Sequence, residues 1–364
     1  MRFSELLFGK MKVFQAVYNP YFDANQYVLT LMDGIDSTHN DVEWGWGMEK
    51  FWGSDIYDYD IIHIHWPDVL LWNNRTPNQI ENRLIKLKSA GKRIISTCHN
   101  LEPHYCNDIK RNEAYKIVYE KTDMMLHLGD FSLEVMKKKL PNVQHVLLPH
   151  HTYDSVYKDI PDRDEACRKL GLNPQHNYII CFGAFRDDEE RYLVKNLIKK
   201  IKHENIYVIA PAYKSIESRN IVGRILRKYE ILKHCYFDHI IMKGHSTTPV
   251  PESMTPYYYA VADVALIQRK KILNSGNVPL AFLMGKVVVG PNCGNVGLLL
   301  GETGNPIFNV CDDDSVLVAV KQAIALAKEK QGEKNRRYAL EHFSTSIIAE
   351  QLYGYYLALN SLSK

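Results

Sequence analysis

The strongest constraint on this chain is a rhythm. Apolar runs of strand length alternate with helical patterns, and the alternation occurs twice over. In the first half, "MKVFQAVYN" (11–19), "YDIIHIHW" (59–66), "RIISTCHN" (93–100), "DMMLHLGD" (123–130) and "HVLLPHH" (145–151) read as strands. Between the second and third lies "TPNQIENRLIKLKSAGK". Thr76 suits the cap, Pro77 the first helical position and Gly91 the stop, with Ile80, Leu84 and Leu87 on one face. Strands apolar along their whole length and joined by helices belong to parallel sheets covered on both faces. After "KDIPDRDEACRKLGLNPQHN" the rhythm restarts. Strands are expected at "YIICFGAF" (178–185), "IYVIAP" (206–211), "HIIMKGH" (239–245), "DVALIQ" and "KVVVGP", separated by helices.

The expected fold class is therefore α/β, two doubly wound Rossmann-like domains facing across a cleft. Residues 1–160 would form the first domain and 161–343 the second, with a polar, Pro-containing linker near 150–175. Residues 344–364 would form a terminal helix carrying Ile347, Ile348, Leu352 and Tyr355 at helical spacing. A length of 364 residues suits two such domains.

Charge narrows the function. With 45 basic and 42 acidic residues the chain is too balanced to be governed by nucleic acid contacts, and no nucleic acid partner is expected. Local basic runs at 137–139, 198–202 and 334–337 are either solvated helix faces or contacts with an anionic membrane. Seven cysteines without regular spacing read as free thiols of a reducing compartment. No secretory h-region and no run of about 18 apolar residues appears. The expected location is cytoplasmic, with the inner face of the membrane as the place of any peripheral contact.

Ligands of open parallel sheets bind outside the carboxyl ends of the strands. The candidate segments all lie there. "TCHNLEPH" (97–104) gathers His99, Glu102 and His104 in one turn. Either these merely bond their neighbours, or they serve proton transfer and polar substrate contact. Their spacing does not suit a metal cage, and no metal is expected. In "HIHWPD" (63–68) alternation sends His63 and His65 to one face, and Trp66 beside Asp68 suits a sugar ring or, equally, a buried indole next to a turn. "LLPHHTYD" (147–154) ends a third strand in His150 and His151. "FGAFRDDEER" (182–191) places Gly183 for a sharp turn and Arg186 for a phosphate, unless Arg186 pairs with its acidic neighbours. In "LNSGNVPLAFLMG" (273–285), Ser275, Gly276 and Asn277 open a helix. They either offer N–H groups to an anion or form an ordinary cap at Asn274 or Ser275. No "GxxxxGK[ST]" and no "GxGxxG" is present.

Taken together, these segments resemble the GT-B glycosyltransferases, and look most like bacterial members related to family 4 of that classification. The matching pieces are "TCHNLEPH" for T-x-H-N-x-x-P-H, "LLPHHTYD" for the P-H-x-x-Y strand end and "FGAFR" for F-G-x-x-R. "YYYAVADVALIQ" matches the helix and strand before the donor loop, "NSGNVPLAFLMGKVVVGPNCG" the donor segment, and "FSTSIIAEQLYGYY" the terminal helix that crosses back to the first domain. The resemblance implies a nucleotide-sugar donor, UDP- or GDP-linked, held mainly by the second domain, and a glycan or lipid-linked acceptor held mainly by the first. It implies diphosphate contact from Arg186, with Gly183, Asn274, Ser275, Gly276 and Asn277 around the donor, and donor-sugar contact from His99. Trp66, Asp68, His150 and Tyr153 would lie on the acceptor side. No cofactor is implied beyond the donor, whose leaving diphosphate is stabilised by such groups and not by a divalent metal. The chain departs from the pattern at two points. "DDEE" stands where a Lys follows the Arg, leaving Arg191 as its replacement, and Ala281 stands where a ribose-binding Glu is expected. The implied activity is hexose transfer in polysaccharide biosynthesis. The rivals are a nucleotide-sugar epimerase on the same architecture and a non-catalytic nucleotide-sugar or glycan binder.

Overall fold

The computed structural model describes residues 10–21, 26–103, 108–201, 204–213 and 250–361, with short stretches between 221 and 241. The chain divides into two compact units, 1–151 with 345–364, and 152–344. The first unit thus closes at His151, where the sequence suggested residue 160.

The first unit is a six-stranded parallel sheet. Its strands are β1 (Met11–Gln15), β2 (Val42–Trp46), β3 (Ile61–Ile64), β4 (Arg93–Cys98), β5 (Met124–His127) and β6 (Gln144–Leu147), in spatial order β2-β1-β3-β4-β5-β6. Five of the six match the apolar runs. Their inward residues, Val13, Phe14, Ile61, Ile62, Ile64, Ile94 and Ile95, are all fully buried. β2 was not anticipated, because "VEWGW" is an edge strand with a charge and a glycine and no apolar run. Gly45 is required there: a Cβ would lie 2.2 Å from the Tyr59 ring. The helix Pro77–Ser89 forms as its pattern predicts, with a capping box between Thr76 and Gln79 and with Ile80, Leu84 and Leu87 fully buried.

The terminal helix, Thr345–Ser361, belongs to this first unit. It buries Ile348, Leu352, Tyr356 and Leu359 along the helix Tyr27–Asp36. Ile347 and Tyr355 are half-buried against the same core, and the Tyr355 hydroxyl donates to the Leu147 carbonyl at 2.8 Å.

The second unit repeats the architecture with β7 (Asn177–Ile180), β8 (Ile206–Ile209), β9 (Ile240–Ile241), β10 (Val264–Leu266), β11 (Val287–Pro291) and β12 (Ile307–Phe308), ordered β12-β11-β10-β7-β8-β9. Part of the supposed linker is a helix, Arg163–Leu170. Asp162 caps its start by accepting from the Glu165 N–H, Gly171 ends it in the left-handed region, and Ala166, Cys167 and Leu170 pack into the core. Of the strand expected at 239–245 only Ile240 and Ile241 are among the described residues. Among the described residues, no helix is long and apolar enough to cross a membrane.

Candidate functional site

In the first unit the order of strands reverses between β1 and β3, the position at which an open α/β sheet leaves a crevice. The residues at the carboxyl ends of β1, β3 and β4 meet those after β6. The rings of His63 and His65 lie 3.9 Å apart, as alternation along β3 requires. Tyr27, the first residue of its helix and fully buried, is the hub. Its ring is 4.9 Å from His99, 4.9 Å from His150, 5.1 Å from His151 and 5.9 Å from His65. So the histidines of three separate strand ends do converge. Trp66 joins them by stacking on His99, at 4.7 Å and an interplanar angle of 17°.

The hydrogen bonds assign the protons. Gln15 donates through Nε2 to the Tyr356 hydroxyl at 3.1 Å, so that hydroxyl donates in turn to His63 Nδ1 at 2.6 Å. His63 then donates through Nε2 to Thr97 Oγ1 at 2.8 Å. On the other side His65 donates through Nε2 to Gln15 Oε1 at 2.8 Å. A continuous polar chain thus runs from His65 to Thr97, the first residue of the "TCHN" turn. His150 Nδ1 donates to the His151 carbonyl at 2.9 Å. Burial holds all these imidazoles neutral: His63 is pushed down to about 3 and His150 to about 4, while His65, His99 and His151 lie well below the usual value. A neutral His99 is a hydrogen-bonding group, poorly suited to give or take a proton near pH 7. Among the described residues no three His, Cys, Asp or Glu side chains are placed to hold a metal ion.

The remaining first-unit candidates sit apart from this cluster. Glu102 is exposed and lines a cavity of about 470 Å³ with Asn112, Tyr115, Lys116, Tyr119 and Lys139. Asp68 faces Arg111 at 3.8 Å and accepts a hydrogen bond from Tyr115. His104 lies outside the described residues.

In the second unit two of the expected segments come together. Gly183, in the left-handed region at φ +90°, sits where an added Cβ would be 3.3 Å from Asn277 Nδ2. Asn277 donates through Nδ2 to the Phe182 carbonyl at 2.7 Å. The turn after β7 and the start of the helix Asn277–Leu283 are thereby joined. That helix is shorter than expected. Its N-cap is Gly276, with no side chain capping it, and Asn274 is engaged elsewhere, accepting from Asn295 Nδ2 at 2.6 Å. Ser275 accepts from the Val278 N–H through its carbonyl.

Arg186 is exposed on this turn, and its backbone N–H donates to Glu190 at 3.0 Å. The carboxylate of Glu190 is buried and also pairs with Arg269 Nε at 3.0 Å, while Arg269 donates to the Ala184 carbonyl at 2.9 Å. The positive charge of Arg186 acts on Arg269, which burial already pushes below the usual arginine value. Sequence reasoning missed Arg269, although it follows β10 at a strand's carboxyl end. Arg191 is committed to its own loop: it donates to the carbonyls of Phe185, Asp187 and Tyr213 and to the Asp188 carboxylate. Tyr153 adopts a left-handed backbone at φ +64°. Ala281, where the ribose-binding Glu was sought, is fully buried in the core.

Two parallel six-stranded α/β units in one chain define the GT-B architecture, and that is the fold of this protein. No protein-family model matches the sequence, and no curated protein matches it. Solved structures do. Sucrose-phosphate synthase from Thermosynechococcus elongatus superposes with a TM-score of 0.75 at 14% identity, covering 97% of this chain and all of that one. HepE from Anabaena, in complex with UDP, gives 0.70 at 12% identity, over 96% of this chain and all of that one. A Listeria monocytogenes protein assigned as a UDP-N-acetylglucosamine 2-epimerase gives 0.60 at 10% identity, over 95% of each chain.

Proposed function

We propose that the protein is a glycosyltransferase that moves a hexose from a UDP- or GDP-sugar to a glycan or lipid-linked acceptor in polysaccharide biosynthesis. The observation that carries this is the joined turn and helix start of the second unit, Gly183 against Asn277, with Arg186 beside a second, buried arginine. A guanidinium and backbone donors suit the charge that develops on a leaving diphosphate, and such a cradle needs no metal ion. Support comes also from HepE, a structural neighbour that has been solved with UDP and glucose and with UDP-glucose. Arg269 and Arg191 act here as supports that shape the loop carrying Arg186. His99 contacts the donor sugar as a neutral hydrogen-bonding group, and Trp66, Asp68, His150 and Tyr153 lie toward the acceptor. Glu102, His104 and Asp68 are the groups available for base duty if the transfer inverts configuration.

Release of nucleoside diphosphate from a nucleotide sugar, measured with and without a glycan acceptor, tests this. Acceptor-dependent release that persists in EDTA is expected. Arg186→Ala should lower turnover by about 10²–10³-fold with an unchanged melting temperature. Unaltered kinetics in that variant would remove the phosphate role. A second reading, epimerisation, is favoured by the Listeria neighbour and predicts conversion of the sugar without any acceptor.

A further inference from the structure

The second unit carries a surface that neither its core nor the donor reading uses. Every described residue between 221 and 233 is helical. Ile221, Val222, Ile225, Leu226, Tyr229 and Leu232 recur at helical spacing, within an arc of about 140° at 100° per residue. All six are exposed, from 57% for Leu226 to 68% for Ile221. Six large apolar side chains on one stripe exceed the scattered exposure that needs no explanation. The stretch that carries the stripe is basic. Between 219 and 233 the sequence holds Arg219, Arg224, Arg227, Lys228 and Lys233 against one acidic residue, Glu230.

We propose that this face lies in the headgroup layer of an anionic membrane, with its apolar stripe toward the acyl chains and its basic residues among the phosphates. An apolar arc in a basic stretch is what an interfacial helix requires. The interrupted apolar run excludes a helix that spans. A second copy of the chain is a poorer occupant, because a two-fold interface here would set the same basic stretch against itself. The surface gives a reason for the enzyme to meet lipid-linked acceptors, yet it depends on no step of transfer, so it stands or falls separately from the catalytic reading.

The full chain is sedimented with vesicles of phosphatidylcholine alone and of equal parts phosphatidylcholine and phosphatidylglycerol. Binding to the anionic vesicles is expected, and weaker binding to the zwitterionic ones. Leu226→Glu with Tyr229→Glu should weaken anionic binding about tenfold or more. Lys228→Glu with Lys233→Glu should remove most of the preference for phosphatidylglycerol, again about tenfold. All four positions are exposed, and circular dichroism checks that the variants stay folded. Absence of wild-type binding to anionic vesicles overturns the proposal, as does equal binding by the apolar variant. It is also overturned by a concentration-dependent dimer, seen in sedimentation velocity, that disperses in the apolar variant.

Discussion

Single residues decide how the proposed donor cradle is built. Gly183 holds a backbone conformation that costs a side-chain-bearing residue about 1–2 kcal/mol, and a Cβ would press on Asn277. Gly183→Ala should therefore lower stability by about that amount and weaken nucleotide-sugar binding far more, since the displaced Asn277 loosens the helix start. Thermal melting and a binding titration on the same variant separate the two effects. At this scale the placement was legible: Gly183 and Arg186 follow the strand Asn177–Ile180, and Asn277 opens a helix, as the local pattern indicates. Arg269 and Glu190 were not readable, because a buried ion pair across 79 positions of chain leaves no local pattern. Tyr27 was hidden for the same reason. Nothing in its neighbourhood announces that four imidazoles will gather on one phenol ring.

Elements explain which parts of the fold could be foreseen. The strands of both sheets are apolar over most of their length, so strand runs and the Pro77–Ser89 helix follow from pattern and caps alone. β2 and β12 escaped, being short edge strands whose residues face solvent on one side. The helix Arg163–Leu170 was mistaken for linker because its first turns are charged, as a capped helix start prefers. The Tyr27–Asp36 and Thr345–Ser361 helices meet tightly at Gly34, where a Cβ would come within 2.8 Å of the Ala349 Cβ and 3.2 Å of the Thr345 methyl. Gly34→Val should force the Tyr27–Asp36 and Thr345–Ser361 helices apart and cost about 1–3 kcal/mol. A lowered melting temperature, with the proposed donor binding by the second unit unaffected in titrations, is the expected result.

For the whole molecule the buried imidazoles set the response to acid. His63, His65 and His151 are almost wholly enclosed and held neutral, whereas in the unfolded chain each titrates near 6.5. Between that value and their depressed folded values the unfolded state binds more protons. Stability is thus present above about pH 6.5 and is lost as pH falls, by about 1.4 kcal/mol per pH unit for each such histidine. Melting temperatures measured from pH 7 to pH 5 should fall steeply. His63→Phe with His65→Leu, if it folds, should flatten the slope. A flat wild-type profile would mean the imidazoles are charged or hydrated in the native state.

The return of the Thr345–Ser361 helix to the first unit has a consequence for how the protein is made. Tyr356, which bonds both His63 and Gln15, is translated only after the entire second unit. Until then the earlier half lacks the helix that packs along Tyr27–Asp36 and the hydroxyl that bonds His63. The later half, continuous in the chain, has all its residues made before the earlier half does.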